Sequence, residues 1–356
     1  MSSETYPLVS IVITNYNGSS LLYLSLPSIF KTDYPNFEII FIDDGSVDKS
    51  FDIAKNLLYK ANNKGIKRII LLKNKKNMGI SYSRNRGIAV ARGKYVAFLD
   101  NDVEVDPYWL KNIILLMERR PDIGAAQSLL LDFYSREKVQ SGGKIVVSYV
   151  GWAHFDAKDL QNILSKEEPN IFGLGAALVV RSELAQIIGG FDDMIPLFSE
   201  DIDFCWRIYL LGKRVVLVKS SKVYHMSKPF TSTFRKKSSM TKRRFEFFVY
   251  NNAIRSMIKN YQISTLSRYI AIASFIFFFR AVYILAFEKD SSSIIGLIRA
   301  IINNIRIVRN LLSARRFTQA IRSIPDKMII NNVMFSGSPV YLFKVSLARR
   351  KSSKSF

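Results

Sequence analysis

The sequence predicts an α/β fold, a doubly wound and mostly parallel sheet of Rossmann type, followed by a helical C-terminal region of different character. Three observations carry that expectation. The first hundred residues alternate β-branched apolar runs with stretches of helical periodicity. The connections between them are short, as in units whose strands run parallel. Charge is also unevenly divided: residues 1–234 hold 29 Lys and Arg against 25 Asp and Glu, whereas residues 235–356 hold 23 against 4.

Taken in order, "LVSIVITNY" reads as a buried strand and "LLYLSLPSIFK" as a helix with apolar positions at helical spacing. "FEIIFIDDGS" is a second strand, closed by the turn signal Asp43-Asp44-Gly45-Ser46. Asp48 to Lys60 is helical, "RIILLKN" a third strand, Ser81 to Ala91 a helix, and "KYVAFLDND" a fourth strand. From about 125 to 234 the pattern is mixed, with short strands around Ile145 and Leu178. "EDIDFCWRIYLLGK" then reads as a helix closed by Gly212, and "RVVLVKSSKVYHM" as strand and loop. In open sheets of this kind ligands bind outside the carboxyl ends of the strands. Three polar clusters fall there: Thr14-Asn15-Tyr16-Asn17, Asp43-Asp44 and Asp100-Asn101-Asp102.

A globular part over 1–234 is therefore expected, and a basic tail over 235–356. The 356 residues suffice for a full core, and an apolar fraction of 48% excludes a disordered or fibrous chain. One cysteine, Cys205, excludes a disulfide framework within the chain and suits a reducing compartment. "MSSETYPLVSIVITNYN" lacks a basic stretch followed by an apolar one, so no secretory leader is expected.

The tail opens on the basic linker "FRKKSSMTKRRF". Residues 269–287 then form a 19-residue apolar run whose one charge is Arg280. As a helix this run reaches roughly 28 Å, near the ~30 Å of a hydrocarbon core. A charge at its middle costs about 2.5–3.5 kcal/mol, which counts against a crossing. "IIGLIRAIINNIRIVRNLLSARRF" places Arg299, Asn303, Arg306 and Asn310 on one helical face, with Ile294, Ile298, Ile301, Ile305, Val308 and Leu312 on another. The expectation is a basic amphipathic tail lying in an anionic membrane surface. Its alternative is a helix packed on the catalytic domain. A nucleic-acid partner is not expected, because Ile, Leu and Phe dominate where stacking aromatics on a polar scaffold would be needed.

Asp100 and Asp102 can project the same way, because alternate strand residues share a face. Two hard oxygen ligands suit Mg²⁺ or Mn²⁺, though such pairs also occur as solvated turns. Asp43 and Asp44 can accept from a base or a ribose, or cap the next helix; Asp48 suits that cap and leaves the pair for another role. Glu200, Asp201 and Asp203 precede an apolar helix, where acids also favour the positive end of the dipole. A general base needs one such carboxylate in a cleft. His225, after an apolar strand, is a candidate nitrogen ligand or a structural histidine, and His154 has only a loop position to recommend it.

These elements, in this order, resemble the inverting glycosyltransferase family 2 with its GT-A fold. The resemblance covers residues 8 to about 226 and implies that 1–234 is a catalytic domain, with a nucleotide-binding half to about 105 and an acceptor half from about 106. It rests on "VSIVITNYNGSSLLYLSLPSI", "FEIIFIDDGSVDKS", "NMGISYSRNRGIAVARGKYVAFLDNDVEVDPYWL" and "FGLGAALVVRSELAQIIGGFDDMIPLFSEDIDFCWRIYLLGKRVVLVKSSKVYH". With "RRFEFFVYNNAIRSMIKNY" it looks most like the branch containing rhamnosyltransferases and related polysaccharide-building enzymes. The resemblance implies that Thr14, Asn15, Tyr16, Asn17, Asp43 and Asp44 hold the base and ribose of a nucleoside diphosphate sugar. Arg84 and Asn85 would lie beside the nucleotide, and Asp100 and Asn101 in the same donor site. Asp102, with Asp100 directly or through water, would bind Mg²⁺ or Mn²⁺, and His225 would join the metal or the diphosphate. Asp201 would be the general base with Glu200 beside it, and "FGLGAALVV" would line the donor-sugar pocket. The acceptor would be a saccharide or a lipid-linked saccharide at the cytoplasmic face of the cell membrane. Rival readings are a nucleotidyltransferase, disfavoured because "TNYNGSS" has no lysine or arginine for a triphosphate, and an inactive scaffold.

Overall fold

The computed structural model describes residues 6–140, 146–154, 161, 163–173, 176–226, 242–334 and 337–352. The chain forms two compact units, one of residues 1–142, 156–208 and 213–227, the other of 143–155, 209–212 and 228–356. The short segments 143–155 and 209–212 thus group with the tail, although the sequence places them in the catalytic part. The expected boundary at 234, and residues 234–241 of the basic linker, lie outside the described residues.

In the first unit the alternation read from the sequence becomes β1 (Val9–Asn15), α1 (Leu22–Ile29), β2 (Phe37–Asp43), α2 (Ser50–Tyr59), β3 (Ile66–Lys73), α3 (Ile80–Val90) and β4 (Tyr95–Asp100). There follow β5 (Val103–Val105), α4 (Trp109–Arg119) and β6 (Ile123–Asp132). Later come β9 (Ala177–Arg181), α5 (Ser182–Ile187), α6 (Glu200–Leu210) and β10 (Arg214–His225). One eight-stranded sheet runs β3-β2-β1-β4-β9-β6-β10-β5. Strands β3, β2, β1 and β4 pair in parallel, and β9 enters antiparallel between β4 and β6. The mixed stretch after 125 is therefore the second half of the same sheet. Of the strand expected around Ile145, only the part from Val146 is described: β7 (Val146–Val147) pairs with β8 (Ala153–His154) in a ribbon within the second unit. Gly212, at φ +73°, closes α6 as its position foretells.

β1 and β2 are buried along their whole lengths because both faces of the sheet are covered. Val9, Ile11 and Ile13 pack in one cluster with Leu26 and Ile29 of α1 and Trp109 and Ile113 of α4. On the other face α3 lies close through Gly87, where a Cβ would stand 2.4 Å from Cγ1 of Val12. A Gly87→Ala change is expected to lower the urea midpoint, since overpacking costs about 1–3 kcal/mol. Better helix propensity returns only about 1 kcal/mol. Equilibrium unfolding followed by circular dichroism reads the difference.

The second unit is helical: α7 (Lys242–Asn260), α8 (Ile263–Glu288), α9 (Ser292–Arg306), α10 (Val308–Ala320), α11 (Asp326–Asn332) and α12 (Pro339–Ser352). The single amphipathic helix expected from 294 to 317 is two, broken at Ile307. α9 approaches α7 closely because Gly296 faces the Glu246 Cβ, 2.8 Å from where its own Cβ would sit. Arg280, the charge at the middle of the apolar run, turns inward. Its Nη1 donates to Glu246 Oε2 and to Tyr250 Oη, both at 2.5 Å, and Tyr250 Oη meets Ser293 Oγ at 2.7 Å. The charge read from the sequence as counting against a membrane crossing is thus paired within its own unit.

Candidate active site

The order β2-β1-β4 makes the carboxyl edge between β1 and β4 a topological switch point, because the chain leaves β1 to one side and returns on the other. Register brings the polar clusters together there: Asn15 stands opposite Asp43, and Thr14 opposite Asp100. Asn15 Nδ2 donates to Asp43 Oδ1 at 2.9 Å, and Asn15 Oδ1 accepts from Asn101 Nδ2 at 2.6 Å. That second contact requires glycine at position 18, where a Cβ would lie 2.0 Å from Asn101 Nδ2. Asn17 adopts φ +51°, donates its backbone N–H to Ser46 Oγ and accepts from the Val47 amide. Tyr16 projects outward, 42% exposed, and Thr14 is buried.

The acids of the second cluster are less available than the sequence suggests. Asp48 does cap, accepting from the Ser50 and Ser19 amides. Asp43 also accepts the Ser46 amide. Asp44 accepts from Asn74 Nδ2 at 2.6 Å and from the Met78 and Gly79 amides, both at 2.9 Å. A carboxylate has about four acceptor positions, so Asp44 is mainly a pin for the start of α3. Asn85 likewise uses its amide on the loop before α6: Oδ1 accepts the Phe191 amide at 2.7 Å, and Nδ2 donates to Phe191 O and Asp193 Oδ1.

Asp100, Asp102 and His225 each bring one ligand atom to within 4.8 Å of the others. Antiparallel pairing of β10 with β5 sets His225 opposite Val103, and the Met226 amide donates to Asp102 O. The imidazole tautomer follows from its other side. Gln140 donates Nε2 to Asp132 Oδ2 at 2.7 Å and to the His225 carbonyl at 3.1 Å, which turns its Oε1 toward His225 Nδ1 at 2.9 Å. Nδ1 therefore carries a proton, and Nε2 faces Asp102 Oδ1 at 3.4 Å, presenting a lone pair there when the ring is neutral. An acceptor opposed to an acceptor, beside a second carboxylate, is favourable only with a cation between them or a proton on the ring. Two carboxylates and a neutral imidazole suit Mn²⁺ or Mg²⁺, so the donor set fits the expected ion. The Asp100 carboxyl is raised above its ordinary range by burial, countered by Arg84 and reinforced by Asp102.

Arg84, fully buried on α3, ties this cluster to the start of α6. Its Nη2 donates to Asp100 Oδ1 at 3.0 Å and its Nη1 to Glu200 Oε1 at 3.1 Å, with the guanidinium over the Phe191 ring. Removing it as Arg84→Met leaves two carboxylates without their counter-charge. About 3 kcal/mol of stability should be lost, read by denaturant titration. Immediately before α6, Phe198 and Ser199 both adopt left-handed backbone at φ +61° and +64°, uncommon for side-chain-bearing residues. They deliver Glu200 and Asp201 to the carboxyl edge. Asp201 Oδ1 accepts the Ile202 amide at 2.8 Å, its one hydrogen bond among the described residues. Asp203 instead forms a buried ion pair with Arg207 at 2.9 Å and belongs to the fold.

Residues 10–181 match the model of the family described as Glycosyl transferase family 2. This part of the chain is similar to that family. Among curated relatives, an uncharacterized glycosyltransferase of Haemophilus influenzae is 35% identical over 127 residues, 36% of this chain and 38% of that protein. The Escherichia coli UDP-Glc:alpha-D-GlcNAc-diphosphoundecaprenol beta-1,3-glucosyltransferase WfaP is 38% identical over 103 residues, 29% of this chain and 37% of that one. The chain thus spans less than two-fifths of either relative's length. A mannosyltransferase of Pyrobaculum calidifontis, solved with GDP-Man and Mn²⁺, has the same GT-A fold at 16% identity. Its TM-score is 0.55, over 85% of this chain and 88% of that one.

At this site, sequence reasoning missed Gln140 and Asn74. Gln140 lies in a loop 85 residues from the histidine it orients, and Asn74 only follows the end of a strand. Neither carries a local signal. Leu174 and Gly175 of "FGLGAALVV" and the His154 side chain lie outside the described residues.

Proposed function

We propose that the chain is a metal-dependent inverting glycosyltransferase. It would move a sugar from a nucleoside diphosphate sugar to a saccharide or lipid-linked saccharide at the cytoplasmic face of the cell membrane. The observation that carries this reading is the buried Arg84 fork, which joins the Asp100–Asp102–His225 cluster to the segment bearing Asp201. A seat for a charged leaving group and the segment that bears a carboxylate able to take a proton are thus tied to one buried arginine.

In this reading Asp100, Asp102 and His225 would hold Mn²⁺ or Mg²⁺, which when bound would supply counter-charge to a departing diphosphate. Thr14 to Asn17, Asp43, Asp44 and Asn101 shape the donor's nucleotide site. Asp201 accepts the proton of the acceptor hydroxyl as that oxygen attacks the anomeric carbon from the face opposite the diphosphate. One displacement from that side inverts the configuration and needs no covalent enzyme intermediate. Glu200 stays paired with Arg84 and positions Asp201.

A lipid-linked acceptor is favoured by the likeness to WfaP, whose name specifies a diphosphoundecaprenol-linked sugar as acceptor. The likeness of the tail motif to the rhamnosyltransferase-containing branch supports a role in cell-surface polysaccharide synthesis. A screen of nucleotide sugars with Mn²⁺ or Mg²⁺, scored for released nucleoside diphosphate, is expected to find a donor whose turnover EDTA abolishes. No release with any donor would refute the reading.

A further inference from the structure

The outward faces of the second unit's helices are unlike a water-facing surface. Between Ala271 and Phe287, α8 turns Ala273, Ile276, Phe277, Arg280, Ala281 and Ile284 inward, so the one charge in the stretch leaves the surface. Outside remain Phe275, Phe278, Phe279, Val282, Leu285 and Phe287, each 38–75% exposed. Ser274 is the one exposed polar residue among them.

α9 shows the same inversion more sharply. Its buried stripe is Ser292, Ser293, Gly296, Leu297, Ala300 and Asn304. Its exposed stripe is Ile298, Ile301, Ile302 and Ile305, continued on α10 by Val308 and Leu312. A helix in water puts its most apolar side inward; here serine, glycine and asparagine face the protein and isoleucine faces out. Exposed Arg299, Arg306, Arg309 and Arg316 are interleaved with the stripe.

We propose that these faces of α8, α9 and α10 seat the chain on an anionic lipid bilayer, with α8 lying against the lipid without crossing it. The apolar side chains would enter the headgroup–acyl boundary while the arginines reach lipid phosphates. Charge selects this occupant over a second copy of the chain: residues 235–356 hold 23 Lys and Arg against 4 acids, so two such faces repel, whereas an anionic leaflet attracts them.

The packing along α8 argues against crossing. Tyr269 stacks on Tyr149 at 4.7 Å, Phe277 on Trp152 at 4.5 Å, and Tyr283 meets Phe343 at 6.1 Å. One flank of the helix is thus occupied over most of its length, and Glu246 binds Arg280 from α7. A crossing α8 would draw into hydrocarbon α7, with its exposed Lys242, Arg243 and Arg244, and α9 with Arg299 and Arg306.

Flotation of the full chain with phosphatidylcholine vesicles, with and without phosphatidylglycerol, tests the proposal. Strong binding is expected only with the anionic lipid, falling as salt rises. Phe278→Ser/Phe279→Ser and Ile301→Ser/Ile305→Ser should each lower the partition coefficient at least tenfold with an unchanged melting temperature. Arg306→Gln/Arg309→Gln should weaken binding to anionic vesicles alone. Flotation of both apolar variants at the wild-type level would overturn the proposal, as would failure of the wild type to bind. So would a dimer dispersed by Ile301→Ser/Ile305→Ser in a chain that ignores lipid. Mn²⁺ binding at the catalytic cluster is measured separately on the same proteins, so failure of the membrane seat and failure of the transferase reading are told apart.

Discussion

Asp201→Asn is expected to lower kcat for sugar transfer by about 10²–10⁴-fold, the range a general base contributes, while donor and Mn²⁺ still bind. The amide has the shape of the carboxylate, and its Oδ1 can keep the Ile202 amide as donor. What it loses is the capacity to take a proton from the acceptor hydroxyl. Glu200 cannot substitute, because its Oε1 accepts from the buried Arg84 at 3.1 Å and its charge is committed there. Asp203 is held by Arg207. Of three acids within four positions, one remains for proton transfer. Steady-state release of nucleoside diphosphate, with titration calorimetry of donor and Mn²⁺, separates the two effects. Wild-type turnover by this variant would end the assignment of Asp201, and loss of donor affinity would make it a binding residue.

The difference between Asp201 and its neighbours shows where sequence reading ends. Strand order at the carboxyl edge was legible because it follows from apolar runs, turn residues and the handedness of parallel connections. Asn15, Asp43, Asp100 and Asp102 therefore stood near one another before any coordinates. Their partners did not follow, because each partner comes from elsewhere in the chain. Asp44 takes amides at Met78 and Gly79, and His225 takes its tautomer from Gln140. The tail shows the same limit in reverse. Helical periodicity separated the isoleucine stripe of residues 294–312 from the basic face, and it was silent on which face the protein would cover. Gly296 and Ala300 decided that, because small side chains let α9 approach α7, and the isoleucines were left outside. Arg280 read only as a charge counting against a membrane crossing, and its partner Glu246, 34 residues earlier, was not legible.

Asp102→Ala should weaken Mn²⁺ binding by more than about 100-fold, because even a residue that only orients a ligand contributes about 10–100-fold. The substitution removes the carboxylate facing His225 Nε2 at 3.4 Å and leaves Asp100, whose Oδ1 already accepts from Arg84. Gln140→Leu is the sharper companion. It touches none of the three ligand atoms directly, yet it removes the acceptor that holds the proton on His225 Nδ1 and keeps Nε2 for the ion. A loss of about 10–100-fold is expected there, between Asp102→Ala and wild type. The fold should survive, since Asp132 retains the Tyr134 and Ser135 amides that close its turn. Free Mn²⁺ measured by electron paramagnetic resonance ranks the three proteins without needing donor or acceptor. Equal affinity in all three would mean that the ion, if bound, sits elsewhere. A loss in Asp102→Ala alone would keep the carboxylates as ligands and remove His225 from the set.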